Sequence, residues 1–153
     1  MRLIVAVVGR PRNAALAAAI AEYETRAARY WPLEVHEVRE ERASGLPSST
    51  VRGREGERLS ARAGSARIVA CDIGGRTFAS DEFAKWLQRE RENDRDTAFV
   101  IGGAYGLSSE IVAKAAMRLS LAPWTLPHEL ARLVLAEQLY RAGSIVRGEP
   151  YHK

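Results

Sequence analysis

The sequence predicts an α/β fold, a mostly parallel sheet flanked by helices on both faces. Strand-length apolar runs alternate with stretches of helical periodicity, and the connections between them are short. The runs at residues 3–8, 68–72 and 98–101 are apolar without strict alternation, as expected of strands covered on both faces.

Taken in order, Leu3 to Val8 is rich in β-branched residues and stops at Gly9-Arg10-Pro11, so it reads as a buried strand. Asn13 is placed to cap an Ala-rich helix carrying Ile20, Tyr23 and Tyr30, which must end before Trp31-Pro32. Leu33 to Val38 alternates apolar and polar residues and reads as a half-exposed strand. Residues 39–66 form a polar middle, broken at Gly45, Pro47, Ser48 and Ser49, with a weak helix over Arg54 to Arg62. Arginines outnumber glutamates between Arg39 and Arg67, which fits either an RNA-facing arm or a solvated, mobile loop. Ile68 to Asp72 is a strand and Gly74-Gly75 its turn; Ser80, Asp81 and Glu82 open a helix to about Asn93. Ala98 to Ile101 is a further buried strand, and Ser108 caps a short helix. Arg118 to Leu121 is the last strand, and a helix starting at Pro127, with proline at the favoured first position, closes the fold.

A chain of 153 residues fits one domain, and 46% hydrophobic with 27% charged residues is an ordinary globular balance. The net charge of +4 permits a nucleic-acid partner without demanding one. Of 23 basic residues only Lys85, Lys114 and Lys153 are lysines, and arginine's planar fork suits phosphates and stacked bases. Cys71 is the sole cysteine, so no intrachain disulfide forms, and a reducing compartment, the cytoplasm, is expected. It lies in a strand and reads as a core filler. No membrane span and no cleavable leader is expected. His36, His128 and His152 are scattered, which argues against a metal site.

Three segments could carry chemistry. Gly102-Gly103-Ala104-Tyr105-Gly106 leaves a strand and enters a capped helix, where glycine lets a ligand approach the backbone. Its spacing is neither the dinucleotide fingerprint nor a P-loop. Leu121 to His128 is a second strand-to-helix loop, stiffened by Pro123 and Pro127 around Trp124; it is either a backbone cradle for an adenine-like ring or a connector packing Trp124 into the core. On the last helix Glu137 and Arg141 stand at i and i+4, the spacing of an ion pair. The chain then closes on Tyr151, His152 and Lys153: a stacking ring, a titratable imidazole and a cation.

Phe99-Val-Ile-Gly-Gly-Ala-Tyr-Gly-Leu-Ser108, Thr125-Leu-Pro-His-Glu-Leu-Ala-Arg132, Glu137-Gln-Leu-Tyr-Arg-Ala142 and Pro150-Tyr-His-Lys153 together resemble the pseudouridine N3-methyltransferase H family of the ribosomal large subunit, small SPOUT-class enzymes. The similarity spans essentially the whole chain and is sharpest after residue 98. The resemblance implies a single domain over 1–153, with a deep trefoil knot within about 68–153, an exception to the usual ban on threading. It implies S-adenosylmethionine as methyl donor, held by Cys71, Gly103 and the segment Ala122, Pro123, Trp124, Thr125, Leu126 and Pro127. It implies a homodimer packed through the last helix, and an acceptor pseudouridine in the helix 69 loop of large-subunit rRNA within the assembled 70S ribosome. Catalysis is expected from His152, Glu137 and Arg141, and RNA contact from Tyr151, His152, Lys153 and Arg141. Either His152 or Glu137 is the proton acceptor. Two positions depart from the family's usual pattern: Cys71 replaces a commoner leucine, and Gly143 replaces a bulky aromatic, which predicts looser packing at the hinge before the tail. A catalytically silent, ribosome-associated binding protein that senses nucleotide is the alternative from another class.

Overall fold

The structure, a computed structural model, describes residues 1–153. The elements run β1 (Leu3–Val8), α1 (Ala14–Ala27), β2 (Leu33–Val38), α2 (Ser48–Ala63), β3 (Arg67–Arg76), α3 (Ser80–Glu92), β4 (Thr97–Ile101), α4 (Ser109–Lys114), β5 (Met117–Leu119) and α5 (His128–Val146). A 3₁₀ turn at Pro150–His152 ends the chain. The five strands pair in the order β2-β1-β4-β3-β5, and every pairing is parallel.

Successive side chains of a strand point to opposite faces, and both faces are covered. Leu3, Val5 and Val7 of β1 join Phe99 and Ile101 of β4 beneath α1, α3 and α5, with Trp31, Phe83, Leu87, Leu135 and Leu139. Ala6 and Val8 turn the other way, with Val100, and meet Leu59 of α2 and Ile111 of α4. All six residues of β1 and all five of β4 are buried, while β2 at the sheet edge is only half-buried. The apolar runs and the alternating run of the sequence are thereby explained. No helix is long and apolar enough to cross a membrane.

Asn13 accepts from the Leu16 amide and Ser108 from the Ile111 amide, the caps the sequence predicts. Other expectations are corrected. The helix expected over Arg54 to Arg62 is present but longer: α2 has 16 residues, starts at Ser48 where a break was expected, and packs on the sheet. Val51, Glu55, Leu59 and Ala63 recur every four residues and form its buried stripe. Gly74-Gly75 is no turn. Both lie inside β3, which continues past an irregularity at Cys71/Arg76. A Cβ on Gly75 would stand 2.5 Å from the Arg118 carbonyl carbon, so glycine there permits backbone to pass backbone. The last strand is Met117–Leu119 rather than Arg118 to Leu121. Pro127 has extended geometry (φ −53°, ψ 143°) and precedes α5 instead of occupying its first turn. Ser80 caps nothing; its hydroxyl donates to Gln138 Oε1 of α5 at 2.8 Å.

The hinge at Gly143 is not loose. The Tyr30 ring fills the space that an aromatic at 143 would take, and a Cβ there would run into that ring. Arg132 locks the same face. It is buried, donates to Glu24 at 2.7 Å and Glu37 at 2.9 Å, and so ties α5 to α1 and β2. Unlike the exposed pairs elsewhere, worth about 0–1 kcal/mol each, removing this partner would strand two carboxylates.

The Tyr30–Gly143 fit predicts a specific coupling. Gly143→Ala should cost about 1–3 kcal/mol in urea denaturation through overpacking. In a Tyr30→Ala background the same change should cost less by about 1 kcal/mol or more; strictly additive losses would refute the fit.

Candidate active site

The carboxyl ends of β4 and β5 finish level with the middle of β3, which runs on to Arg76. Val100 is paired with Ala70, and Cys71 with Leu119, so Cys71 shares a level with the last residues of β4 and β5. The glycine loop leaves β4 just beyond that level, and the Ala122–Pro127 segment follows β5. The cofactor residues implied by the resemblance, Cys71, Gly103 and Ala122 to Pro127, therefore meet at one level of three neighbouring strands, at the carboxyl ends of β4 and β5, where α/β sheets bind ligands.

Local chemistry shapes each loop. Gly103 and Gly106 form a small antiparallel bridge, Gly106 takes a positive φ of 81°, and a Cβ on Gly102 would collide with the Gly106 backbone. Glycine is required at this tight fold. The Ser120 amide donates to the Arg76 carbonyl and the Ser120 hydroxyl to the Ala122 carbonyl at 2.7 Å, fixing the start of the stiff loop against β3. Beneath it, Phe78, Phe83, Leu119, Leu121, Val134 and Gln138 line a cavity of about 180 Å³. Cys71 is half-buried, and burial pushes its thiol up to about 12, so it is no nucleophile near neutral pH.

Trp124 does not pack into the core: it is 77% exposed. Ile73 at 54% and Tyr105 at 48% are the other large exposed hydrophobics, and all three flank this end of the sheet. Isolated exposed apolar residues need no explanation. Here every one of the largest gathers at the strand ends.

The tail is docked. Glu137 Oε1 accepts from Arg141 Nη2 at 2.6 Å, from Arg141 Nε at 2.9 Å and from the Tyr151 hydroxyl at 3.0 Å, while Oε2 accepts from Gln138 at 2.8 Å. The Tyr151 ring packs on Tyr140 with centroids 4.4 Å apart and lies under the Arg141 guanidinium at 4.9 Å. Desolvation, then the bonds to Tyr23 and Glu137, drive the Tyr151 pKa upward. Glu137, Arg141 and Tyr151 thus form one cluster, and His152 and Lys153 extend from it into solvent. Tyr30 adds a second tether through its hydroxyl, which donates to Glu149. The sequence placed Tyr23, Tyr30 and Tyr140 on helices but not around the tail. Tyr30 is not on α1 as expected: the helix ends at Ala27 and Tyr30 lies in the turn that follows.

Sequence reasoning also missed Glu55, which is 2% exposed on the apolar stripe of α2. A glutamate at i+4 between Val51 and Leu59 was the mark of it. No group of His, Cys, Asp and Glu with metal-binding geometry exists.

The family model described as "Predicted SPOUT methyltransferase" matches residues 1–152. A ribosomal RNA large subunit methyltransferase H of Gemmatimonas aurantiaca is 61% identical over 154 residues, covering 100% of both chains. That of Anaeromyxobacter dehalogenans is 45% identical over 155 residues, again covering 100% of both. Among solved structures, a probable methylase family protein of Haemophilus influenzae matches with TM-score 0.57 at 13% identity, over 99% of this chain and 70% of that one. A probable methyltransferase of Bordetella pertussis matches with TM-score 0.57 at 13% identity, over 92% and 95%. These structural likenesses speak to the fold alone.

The tail's tether yields a pH prediction. The bond to Glu149, followed by burial, raises the Tyr30 pKa to about 12. A raised folded-state value stabilises the docked tail fully below about pH 10, the ordinary tyrosine range, and this is lost as pH climbs toward 12. Tail release, read as carboxypeptidase access, should begin in that window and lose its pH dependence there in Tyr30→Phe. A wild-type tail equally accessible across the window would contradict the tether.

Proposed function

The chain belongs to the SPOUT methyltransferase family, and from that premise we propose that it methylates N3 of a pseudouridine in the helix 69 loop of large-subunit rRNA within the assembled ribosome, using S-adenosylmethionine. The observation that carries the reading is the meeting of the glycine loop and the Pro-stiffened loop beside Cys71 of β3, ringed by Ile73, Tyr105 and Trp124. Relatives bearing the rRNA large subunit methyltransferase H name over their full length support the rRNA substrate.

The residues suit the donor. Backbone groups of Gly103 and of Ala122, Pro123, Trp124, Thr125, Leu126 and Pro127 would hold it, with Cys71 as an apolar wall whose thiol stays protonated. The apolar cavity behind Leu121 suits an adenine-sized ring. When bound, S-adenosylmethionine supplies an electrophilic methyl group on a sulfonium, so the protein's task is alignment. The acceptor N3 carries a proton that must leave. His152 takes it: its imidazole is exposed and carried on a docked tail, whereas both oxygens of Glu137 are already engaged. Glu137 holds Arg141 and Tyr151 in place, Arg141 and Lys153 face the phosphates and the developing anion, and Tyr151 stacks toward the RNA loop once its cluster opens.

The same reading includes the knot, within about 68–153 of a single domain. It is supported by the path of the chain: β5 lies at the sheet edge outside β3, yet α5 packs on α1 and α3, so residues 120–127 must pass the overhanging end of β3. A homodimer through α5 is supported by its half-buried Leu130, Leu133 and Val134 beside exposed Trp124. In such a dimer one subunit's tail completes its partner's pocket. A ribosomal substrate places the enzyme in the cytoplasm.

Deletion of residues 150–153 should abolish methyl incorporation into intact ribosomes from labelled donor, while calorimetric donor binding and the thermal midpoint stay near wild type. Incorporation persisting in the deletion would remove the tail from the mechanism. Mixed dimers of that deletion with a Gly103→Val subunit should recover part of the activity, and no recovery would rule out the shared pocket. Donor binding without incorporation into either ribosomes or free rRNA would favour a silent binding protein.

A further inference from the structure

Three charged side chains are buried in this protein: Glu55, Glu90 and Arg132. Two are neutralised. Glu90 meets Arg67 at 2.5 Å and Arg95 at 3.5 Å, and Arg132 has its two glutamates. Glu55 has no cationic partner. The neighbouring Arg54 and Arg58 are both drawn to Glu41 instead. Its one hydrogen bond is long, from the Glu41 amide to Oε2 at 3.4 Å, and Oε1 accepts nothing from the protein. Desolvation raises its pKa, and Glu40 and Glu41 push the same way against Arg58. The cleft beside it leaves that oxygen within reach of a donor from outside the protein.

Its position says what that is. Both carboxylate oxygens lie just over 3 Å from where a Cβ on Gly103 would stand, so Glu55 backs the glycine loop. It lines a cleft of about 360 Å³ with Arg12, Glu40, Glu41, Arg42 and Tyr105. The cleft opens at the carboxyl ends of β1 and β4. These are neighbours whose following helices, α1 and α4, pack on opposite faces of the sheet. Such a reversal point is where open α/β sheets bind their ligands. The glycine loop then borders both the proposed donor site and this cleft. Tyr105, half exposed, offers a ring for a base to stack on, and exposed Arg42 a cation for its phosphate.

We infer that this cleft receives the acceptor ring, and that Glu55 selects pseudouridine over uridine by accepting its N1–H. The inference rests on the function proposed above and deepens it. In uridine N1 carries the glycosidic bond and has no proton. In pseudouridine the bond is to carbon, so the ring presents N1–H as well as N3–H. A carboxylate with a free oxygen binds the first of these donors and leaves the second, N3–H, turned toward the methyl donor held at the glycine loop. A bound uridine would cover the carboxylate without giving it a donor, and sites built around a substrate N–H reject analogues lacking it strongly.

The test uses full-length protein and ribosomes carrying either pseudouridine or uridine at the acceptor position. Wild type should prefer pseudouridine in kcat/KM by a factor of about 100 or more. Glu55→Met should shrink that preference at least tenfold, with Glu55→Gln intermediate, while donor affinity by calorimetry is unchanged. Both variants should melt close to wild type, because the carboxylate has no ion-pair partner in the fold and only one long hydrogen bond. Tyr105→Ala should weaken both substrates equally and keep the ratio. A preference left intact in Glu55→Met overturns the inference, and if that variant unfolds, an intact preference in Glu55→Gln does so. Loss of stability in both variants with the ratio unmoved makes Glu55 a structural residue and equally overturns it. Wild type transferring no methyl to either ribosome defeats the functional reading itself, and this inference with it.

Discussion

Backbone packed against backbone where β4 and β5 end beside β3 is the constraint on which the rest depends. Gly75 brings β3 against Arg118 and Leu119 of β5, and Gly102 brings the start of its loop against Gly106. Any side chain at either place would force the strands apart. Because the strands close up there, Cys71, the glycine loop and the Pro-stiffened loop meet at one level. The apolar cavity behind Leu121 is the space these loops and α5 leave between them. A sheet with the same strand order but splayed ends would have the same core and no site.

The opposite face of that architecture is held by α5. Arg132 anchors its first half to α1 and β2, and Tyr30 seats its second half at Gly143. The short tail beyond α5 is bound by aromatic contact and by Glu137 rather than left to fray as termini usually are. The pairing of a rigid strand-end cradle with a tethered but surface-borne tail suits a reaction in which the donor is gripped and the acceptor arrives on a large RNA. Tethering reduces the entropy lost when the tail orders against that RNA.

The strand–helix alternation, the caps at Asn13 and Ser108, the half-exposed edge strand and the Glu137–Arg141 pair were legible because each depends on local pattern or spacing. The features that stayed hidden depend on distant partners. Gly74-Gly75 has the composition of a turn, and only the Arg118–Leu119 backbone makes it strand. Gly143 alone suggests a void, and only Tyr30, remote in sequence, fills it. The polar composition of α2, with Gly53 and Gly56 inside it, hid the length of a helix whose apolar stripe at Val51, Leu59 and Ala63 is nonetheless regular. The sequence left the Trp124 loop open between a ligand cradle and a core-packing connector, and the exposure of Trp124 at the rim removes the second. The motifs after residue 98 pointed to the two loops and the tail, but not to the buried carboxylate behind Gly103.

The proposed activity is a single chemical event at a single place. Ribosomes from cells lacking the protein would be incubated with purified enzyme and isotopically labelled S-adenosylmethionine, and the rRNA digested and mapped by mass spectrometry. The account predicts one labelled nucleotide, 3-methylpseudouridine, in the helix 69 loop of the large subunit. Label on another base or another RNA, or label spread over many positions, would contradict it.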